Sequence, residues 1–580
     1  MSTQHESAKQ SEAFRLEKYQ SNIDTALRDL RENDILARIW SHDHTVWKPE
    51  PTEITNRLGW LHSPEVMSKA IPEINAFVDE IRAEGFTHAL LLGMGGSSLA
   101  PEVFRFTFGV QAGYLDLAVL DSTDPGAVLA HANRLDPAST LFIVSTKSGG
   151  TVETFSFFKY FYNWTSEKIG ETKAGKHFVA ITDPGSGLAD TAKKYNFRKT
   201  FINDPNIGGR YSALSYFGLV PAALIGMDLK LLLGRASAMA QFSKGIAPSQ
   251  IEGNSPARLG ATLGELAVQG RDKVTLIASP PIKYFGAWAE QLIAESTGKE
   301  GKGILPVDGE EVGAPSVYGN DRLFVYLRLE GDSTFDQKVE TLLEAGHPVV
   351  QLDLQDLYDL GGEFFRWEIA TIIASRRLEI NPFDQPNVES AKILARQMVE
   401  AYQKAGKLPE QVPSLQADGV SVYADVSAKN LADALNKFLA EARQGDKNHK
   451  SRSYVALQAY VTPIAENDAA LQQLRTKIQT RLRVATTVGY GPRFLHSTGQ
   501  LHKGDAGHGL FMQFTSDAVQ DLAIPDEAGL PNSSMTFGVL ELAQALGDRQ
   551  ALLDAKRRVI RFHLGKEVEK GLLKLADLIE

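Results

Sequence analysis

The amino-acid sequence predicts an α/β protein made of several packed units, each a parallel sheet with crossover helices. Three observations carry that expectation. From His88 the chain runs through HALLLG, LAVLDS, LFIVST, FVAITD and TFINDP, short apolar segments that end in polar, Gly or Pro residues and stand helix-lengths apart. Continuous apolar runs of this kind belong to strands buried on both faces, and ligands gather at the carboxyl ends of such strands. The alternation restarts after Asn254, where VTLIAS, LFVYLR and VVQLDL read as strands. Finally, 580 residues exceed the size at which a single core stops growing, so two or three units are expected.

The elements follow in order. Met1 to Gln20 is polar and lacks the apolar centre of a signal peptide. No apolar run approaches the roughly 20 residues of a membrane span, so a cytoplasmic protein without a membrane partner is expected. Leu27, Leu30, Ile35, Leu36 and Ile39 give Asp24 to Trp40 the spacing of one or two amphipathic helices. Within the second α/β unit, Lys283 to Thr297 and Phe364 to Arg377 are helix candidates. Leu408 to Asp425 carries Pro409 and Pro413 and reads as a linker or insertion. Beyond it come a helix over Asn430–Arg443, the strand YVALQAYV, a helix over Ala469–Arg483, a VATTVGYGP strand and turn, and two late helices. The expected division is a polar and helical adaptor (1–70), two α/β units (71–250 and 251–407) and a C-terminal α/β extension (408–580). No repeat of short period occurs.

Composition narrows the chemistry. A net charge of −10 argues against a nucleic-acid partner, although a phosphate pocket can be locally basic on an acidic surface. The absence of cysteine excludes disulfides, zinc thiolates, iron–sulfur clusters and thiol nucleophiles.

Four short segments in fixed order carry the functional signal. In GMGGSSLAP, Gly93, Gly95 and Gly96 close a strand and Ser97 and Ser98 open a helix, a place where backbone and hydroxyls can meet a phosphate or sugar oxygen. The segment lacks the Lys of a GxxxxGK[ST] loop, and Ser98 stands where GxGxxG has its third glycine; it reads equally as a tight strand-to-helix turn. In STKSGGTVET, Ser145, Thr146, Ser148 and Thr151 crowd hydroxyls around Lys147 at the mouth of a helix that Thr151 can cap. Dispersed hydroxyls with a helix dipole suit a dianion, the alternative being a solvated Ser/Thr loop. In GGRYS, Arg210 beside a Gly-Gly turn can stabilise an anionic intermediate without releasing its own proton, or be a surface arginine.

AESTGK is the sharpest clue. Tyr284, Trp288, Gln291 and Leu292 form an inward stripe, and Glu295 continues that face. A carboxylate on a buried face suits a general base, or else an ion-pairing residue near the helix end at Gly298. Further on, Gln385 and Lys392 of NPFDQPNVESAK can project together, and a lysine beside a sugar ring oxygen can assist ring opening; an exposed first-turn lysine is the alternative. The Gly-rich VGYGPRFLHSTGQLHKGDAGH holds His496, His502, Lys503 and His508 with no zinc spacing, and reads as an active-site lid or subunit contact.

These segments resemble, in order, the motifs of the phosphoglucose isomerase family: GMGGSSLAP its GIGGSxLGP, TKSGGTVET its phosphate loop, GGRYS its GGR[YF]S, ESTGK its catalytic ESxGK, and NPFDQPNVESAK its NPFDQxGVExxK. The resemblance spans about Gly93 to Lys392. It implies two sugar-isomerase (SIS) α/β/α sandwich domains in a homodimer with a shared site, acting on a sugar phosphate with no metal or organic cofactor. Gly96, Ser97, Thr146, Lys147, Ser148 and Thr151 would hold the phosphate end, Arg210 would face the enediolate, Glu295 would be the base, and Gln385 and Lys392 would line the sugar. The implied reaction is aldose–ketose isomerisation of glucose 6-phosphate and fructose 6-phosphate. A dual phosphoglucose/phosphomannose isomerase and a non-catalytic sugar-phosphate sensor of the same fold are the alternatives.

Two departures stand out. The family's ring-opening histidine, expected from the partner subunit roughly thirty residues after the base, has no counterpart in VYGNDRLFVYL (317–327). Either Lys392 acts with another donor, or His496 or His502 takes the role. The region after Lys407 carries no family motif, and in this the chain resembles the isomerase half of transaldolase–phosphoglucose isomerase fusions.

Overall fold

The computed structural model describes residues 12–244, 253–425, 427–443 and 452–579. Residues 1–11 of the polar start and the expected 250/251 boundary lie outside the described residues. The first strand, β1 (Glu12–Arg15), belongs to the second of three main sheets. The first sheet is built from β2 (His88–Gly93), β3 (Asp116–Leu120), β4 (Thr140–Ser145), β5 (Phe178–Thr182) and β6 (Lys199–Ile202). All five are parallel, in the order β3-β2-β4-β5-β6.

The second sheet takes β7 (Lys273–Ala278), β8 (Leu305–Val307), β9 (Arg322–Leu329) and β10 (Val349–Leu354), in the order β1-β10-β9-β7-β8, with only β1 antiparallel. The third holds β11 (Leu415–Ala417), β12 (Val420–Tyr423), β13 (Tyr454–Tyr460), β14 (Ala485–Tyr490), β15 (Gly509–Thr515) and, after a short ribbon of β16 (Ala523–Ile524) and β17 (Met535–Thr536), β18 (Arg558–His563). Its order is β11-β12-β18-β15-β13-β14, parallel from β18 to β14. The three parallel cores share one winding: the first strand pairs with the second on one side and the third on the other. The C-terminal region is thus a third α/β unit of the same topology.

Two expectations need correction. The N-terminal segment is not a separate adaptor, because β1 pairs with β10 and the helix Gln20–Glu32 buries Ile23, Leu27 and Leu30 in the core shared by the first two units. The stretch read as a linker after Leu408 is a β-hairpin at the edge of the third sheet. Its turn is Asp418–Gly419, both with positive φ (55° and 81°), and Val420 and Val422 alternate inward. An Asp-Gly pair between alternating apolar residues is a strong hairpin signal, here masked by the two prolines before it.

The units are not strung out. Ala294, Leu305 and Val307 of the second pack with Tyr454, Ala456, Leu501 and Phe511 of the third. Phe537 and Leu540 of the helix Phe537–Asp554 join the core on the first sheet's other face. Among the described residues no helix is long and apolar enough to cross a membrane.

Candidate active site

β2 and β4 are hydrogen-bonded neighbours from which the chain departs toward opposite edges of the first sheet. Their carboxyl ends therefore leave a crevice between diverging connections. The turn Met94–Ser98 follows β2 and the loop Thr146–Thr151 follows β4, and the Ser145 hydroxyl ties them by donating to the Ser97 carbonyl at 3.2 Å. A cleft of about 660 Å³ opens here, lined by Gly96, Ser97, Thr146, Lys147, Ser148, Thr151, Arg210, Glu295, Gln385, Lys392 and His496 among others. All the motifs singled out in the sequence thus reach one cavity.

The hydroxyl loop depends on Gly149. Its φ is +66°, and a Cβ there would sit 2.6 Å from the Leu188 nitrogen. Thr151 holds the N-cap position of the helix Val152–Ile169 without bonding its amides; its hydroxyl instead meets that of Thr146 at 2.9 Å. First-turn amides without a side-chain cap, at the positive end of an 18-residue helix, favour an anion. Lys147 is otherwise engaged. Its ammonium pairs with Asp183 and donates to the Pro205 carbonyl at 3.0 Å, so it braces the loop rather than offering an unpaired charge.

Arg210 ties together two segments, the end of the Glu295 helix and the turn at Pro382–Gln385. Its Nε donates to Ser296 Oγ (2.8 Å), one terminal nitrogen to the Pro382 carbonyl (2.6 Å) and the other to Gln385 Oε1 (3.0 Å). That last nitrogen lies 3.6 Å from Glu295 Oε1. Gly96 lets this turn approach the first, since a Cβ on it would lie 2.1 Å from the Gly209 carbonyl oxygen. Glu295 projects from the helix Phe285–Thr297, whose Trp288 and Leu292 anchor the buried face. Gln291, one turn earlier, donates to Glu295 Oε2 at 3.1 Å and to the His496 carbonyl at 2.7 Å. Lys299 is buried and bonds Asp384 Oδ1 at 2.8 Å, steadying the turn that Arg210 also grips. Burial, with the nearby Arg210 charge, pushes its pKa down to about 8. Lys392 stands at the mouth, half-buried and 3.9 Å from Glu389.

The structure separates the two candidate histidines. His496, on the turn Arg493–His496 after β14, meets Glu153 Oε1 through Nε2 at 3.0 Å. Gln544 Nε2 donates to the same oxygen at 2.7 Å, and the Thr123 hydroxyl fixes the amide by donating to Gln544 Oε1 at 2.8 Å. Burial works to raise the Glu153 pKa, but the facing His496, the residue's own backbone N–H and the Lys392 charge together outweigh it and the carboxyl stays below its ordinary range. An ionised Glu153 assigns the neutral ring's proton to Nε2 and leaves Nδ1 as the basic nitrogen.

His502 is elsewhere. It lies in the third unit against Tyr454, Phe494 and Phe511, with Nδ1 3.3 Å from the Gln458 amide, and burial holds its pKa well below the usual histidine value. The segment expected as a Gly-rich lid is in fact a buried helix, Gly499–Gly504. Its Gln500 is a fastener, donating to the Gly298 carbonyl and Asn387 Oδ1 at 2.8 Å each. Among the described residues no group of three or more His, Asp or Glu side chains is arranged to hold a metal ion.

Sequence reasoning left several contributors unassigned. Glu153 stood in the quoted TVET segment and Lys299 in ESTGK, so position within a motif was their only signal. Gln544 had none, since its partner Glu153 comes from another unit; Gln291 showed in the sequence as a member of the inward stripe, but its bond to the His496 carbonyl did not.

Residues 68–312 match the family model for phosphoglucose isomerase. A glucose-6-phosphate isomerase of Carboxydothermus hydrogenoformans is 28% identical over 398 residues, covering 58% of this chain and 83% of its own. One from Thermus thermophilus is 29% identical over 395 residues, covering 58% of this chain and 89% of its own. In fold, the chain is similar to a crystal structure of a glucose-6-phosphate isomerase from Chlamydia trachomatis, with a TM-score of 0.56 and 20% identity over 66% of this chain and 86% of that one.

Proposed function

Because the chain carries a phosphoglucose isomerase domain, we propose that the cleft interconverts glucose 6-phosphate and fructose 6-phosphate through a cis-enediolate. The observation that carries this reading is the convergence of hydroxyl loop, Arg210 and Glu295 on one cavity, with carboxylate and guanidinium 3.6 Å apart. A sugar phosphate can seat its phosphate on Ser97, Thr146, Ser148, Thr151 and the free amides of the helix Val152–Ile169. That leaves C1 and C2 toward Glu295.

Each step then has a group. His496 takes the anomeric hydroxyl proton through Nδ1 as the ring C1–O5 bond breaks, and Lys392 at the mouth donates a proton to the departing ring oxygen. Glu153 and Gln544 hold the imidazole and stabilise its charged form. Glu295 removes the C2 proton of the open aldose, and the electron pair forms the enediolate. Arg210, clamped by Ser296, Pro382 and Gln385, meets the developing negative charge without reorganising. The same carboxyl returns the proton to C1 while the O2 hydroxyl proton passes to O1, which leaves a carbonyl at C2 and gives the ketose. One base serves both carbons because they are adjacent and held on one face.

The test is a coupled assay in which fructose 6-phosphate is supplied and glucose 6-phosphate is followed by its oxidation. Steady turnover by the purified protein is expected; no glucose 6-phosphate above the enzyme-free rate would overturn the proposal.

A further inference from the structure

We infer that residues 408–580 complete the catalytic site within the same chain, so that each copy works without residues from another. The inference rests on the isomerase reading above and concerns where its groups come from. Resemblance alone implies a histidine lent by a partner subunit, and the stretch 317–327 offers none. In the structure the histidine in the cleft is His496 of the third unit.

Its placement is enforced from several sides. Three residues earlier, Arg493 reaches into the first unit, where it pairs with Glu102 on the helix Leu99–Phe108 and lies 3.4 Å from Asp121 at the end of β3. The His496 carbonyl accepts from Gln291, the amide that also bonds the base Glu295. Glu153 of the first unit takes the His496 ring on one side and Gln544 of the third on the other. Gly95 leaves no room for displacement, because a Cβ there would lie 2.7 Å from the His496 carbonyl oxygen.

The rest of the third unit is fastened beside the same cavity. Gln500 bonds the Gly298 carbonyl just past the base helix, and its Oε1 accepts the Asn387 amide at 2.8 Å, two residues after Gln385. The helix Glu389–Ala405, which carries Lys392, lies against the helix Phe537–Asp554, close enough that a Cβ on Gly547 would sit 2.6 Å from the Ala395 nitrogen. A unit bound this way does structurally what a second subunit would do: it closes the open side of the cleft and delivers an acid–base group. Groups held in one chain keep their spacing at any protein concentration.

The experiment is complementation. Glu295→Gln and His496→Ala are each made, then co-expressed under different affinity tags and purified through both tags, alongside the separately purified variants. If sites were built across two chains, mixed assemblies would regain one intact site from two crippled chains. The expected result is no gain over the sum of the single variants, together with wild-type specific activity on fructose 6-phosphate that stays constant on dilution to nanomolar chain. Recovery of a quarter or more of wild-type activity in doubly tagged material would overturn the inference, as would a fully active His496→Ala. A wild-type protein with no turnover at all would instead sink the isomerase reading beneath it.

Discussion

At the site, each chemical role is set by what its side chain already touches. Glu295 and Glu153 are both buried carboxylates beside the cleft, but Glu153 takes a histidine and an amide on a single oxygen, whereas Glu295 accepts one amide and has the Arg210 guanidinium 3.6 Å away. In the proposed mechanism Glu153 therefore holds the histidine and Glu295 meets the substrate. His496 and His502 divide in the same way. His496→Ala is expected to slow turnover of the cyclic sugar phosphate far more than proton exchange from an open-chain analogue, whereas His502→Ala should lower the melting temperature, through a cavity costing about 1–3 kcal/mol, with little change in kcat. Equal loss on both substrates for His496→Ala would make its role structural. Lys299 supplies a pH signature. Its pKa is depressed to about 8, so the ammonium that bonds Asp384 is present below that pH and is lost above it. Turnover per substrate encounter, kcat/KM, should fall as pH rises through about 8, and Lys299→Arg, which keeps its charge, should carry the plateau further up. An unchanged alkaline limb in Lys299→Arg would exclude this lysine.

Elements explain what the sequence could reveal. The strands of the first sheet are apolar runs bounded by turn residues, and the hydroxyl loop and Gly-rich turn sit directly at their ends, so both the fold and that half of the site were legible. Trp288, Leu292 and Glu295 fall on one helix face by spacing alone. The edge hairpin at Asp418–Gly419 was legible in principle but read as a linker, because Pro409 and Pro413 dominate the segment. What could not be read is the lateral fit between elements: nothing in the sequence around Gln544 indicates Glu153, and the burial of Gly499–Gly504 follows from packing against another unit. Close approach of the first turn to the Arg210 turn gives a test at this scale. Gly96→Ala would push a methyl to 2.1 Å from the Gly209 oxygen, so the two turns must part. A loss of kcat/KM of at least about tenfold is expected for the roughly 1.4 kcal/mol that such misplacement of Arg210 costs at minimum. Unchanged kinetics would mean that the turns part without moving the guanidinium.

The whole molecule is one winding used three times, and in the proposed mechanism the first unit supplies the anion loop, the second the base and the third the histidine. Shared cores bind the units to one another, with Ala294 and Leu305 against Tyr454 and Leu501, and Phe537 against the first unit's aromatic cluster. This predicts that the third unit does not melt by itself: calorimetry should give one main transition, and a separate early transition that leaves the first two units folded would contradict it. The proposed mechanism turns on a proton transfer by Glu295, which isotope incorporation tests most directly. Wild-type protein and Glu295→Gln are incubated with fructose 6-phosphate in D₂O, and deuterium at C2 of the glucose 6-phosphate formed is read by NMR. The account predicts incorporation with the wild type, at a rate reduced at least about 10²-fold in Glu295→Gln, since the variant keeps the shape and lacks the base. Interconversion by the wild type without any solvent deuterium at C2, or unchanged incorporation by Glu295→Gln, would contradict it.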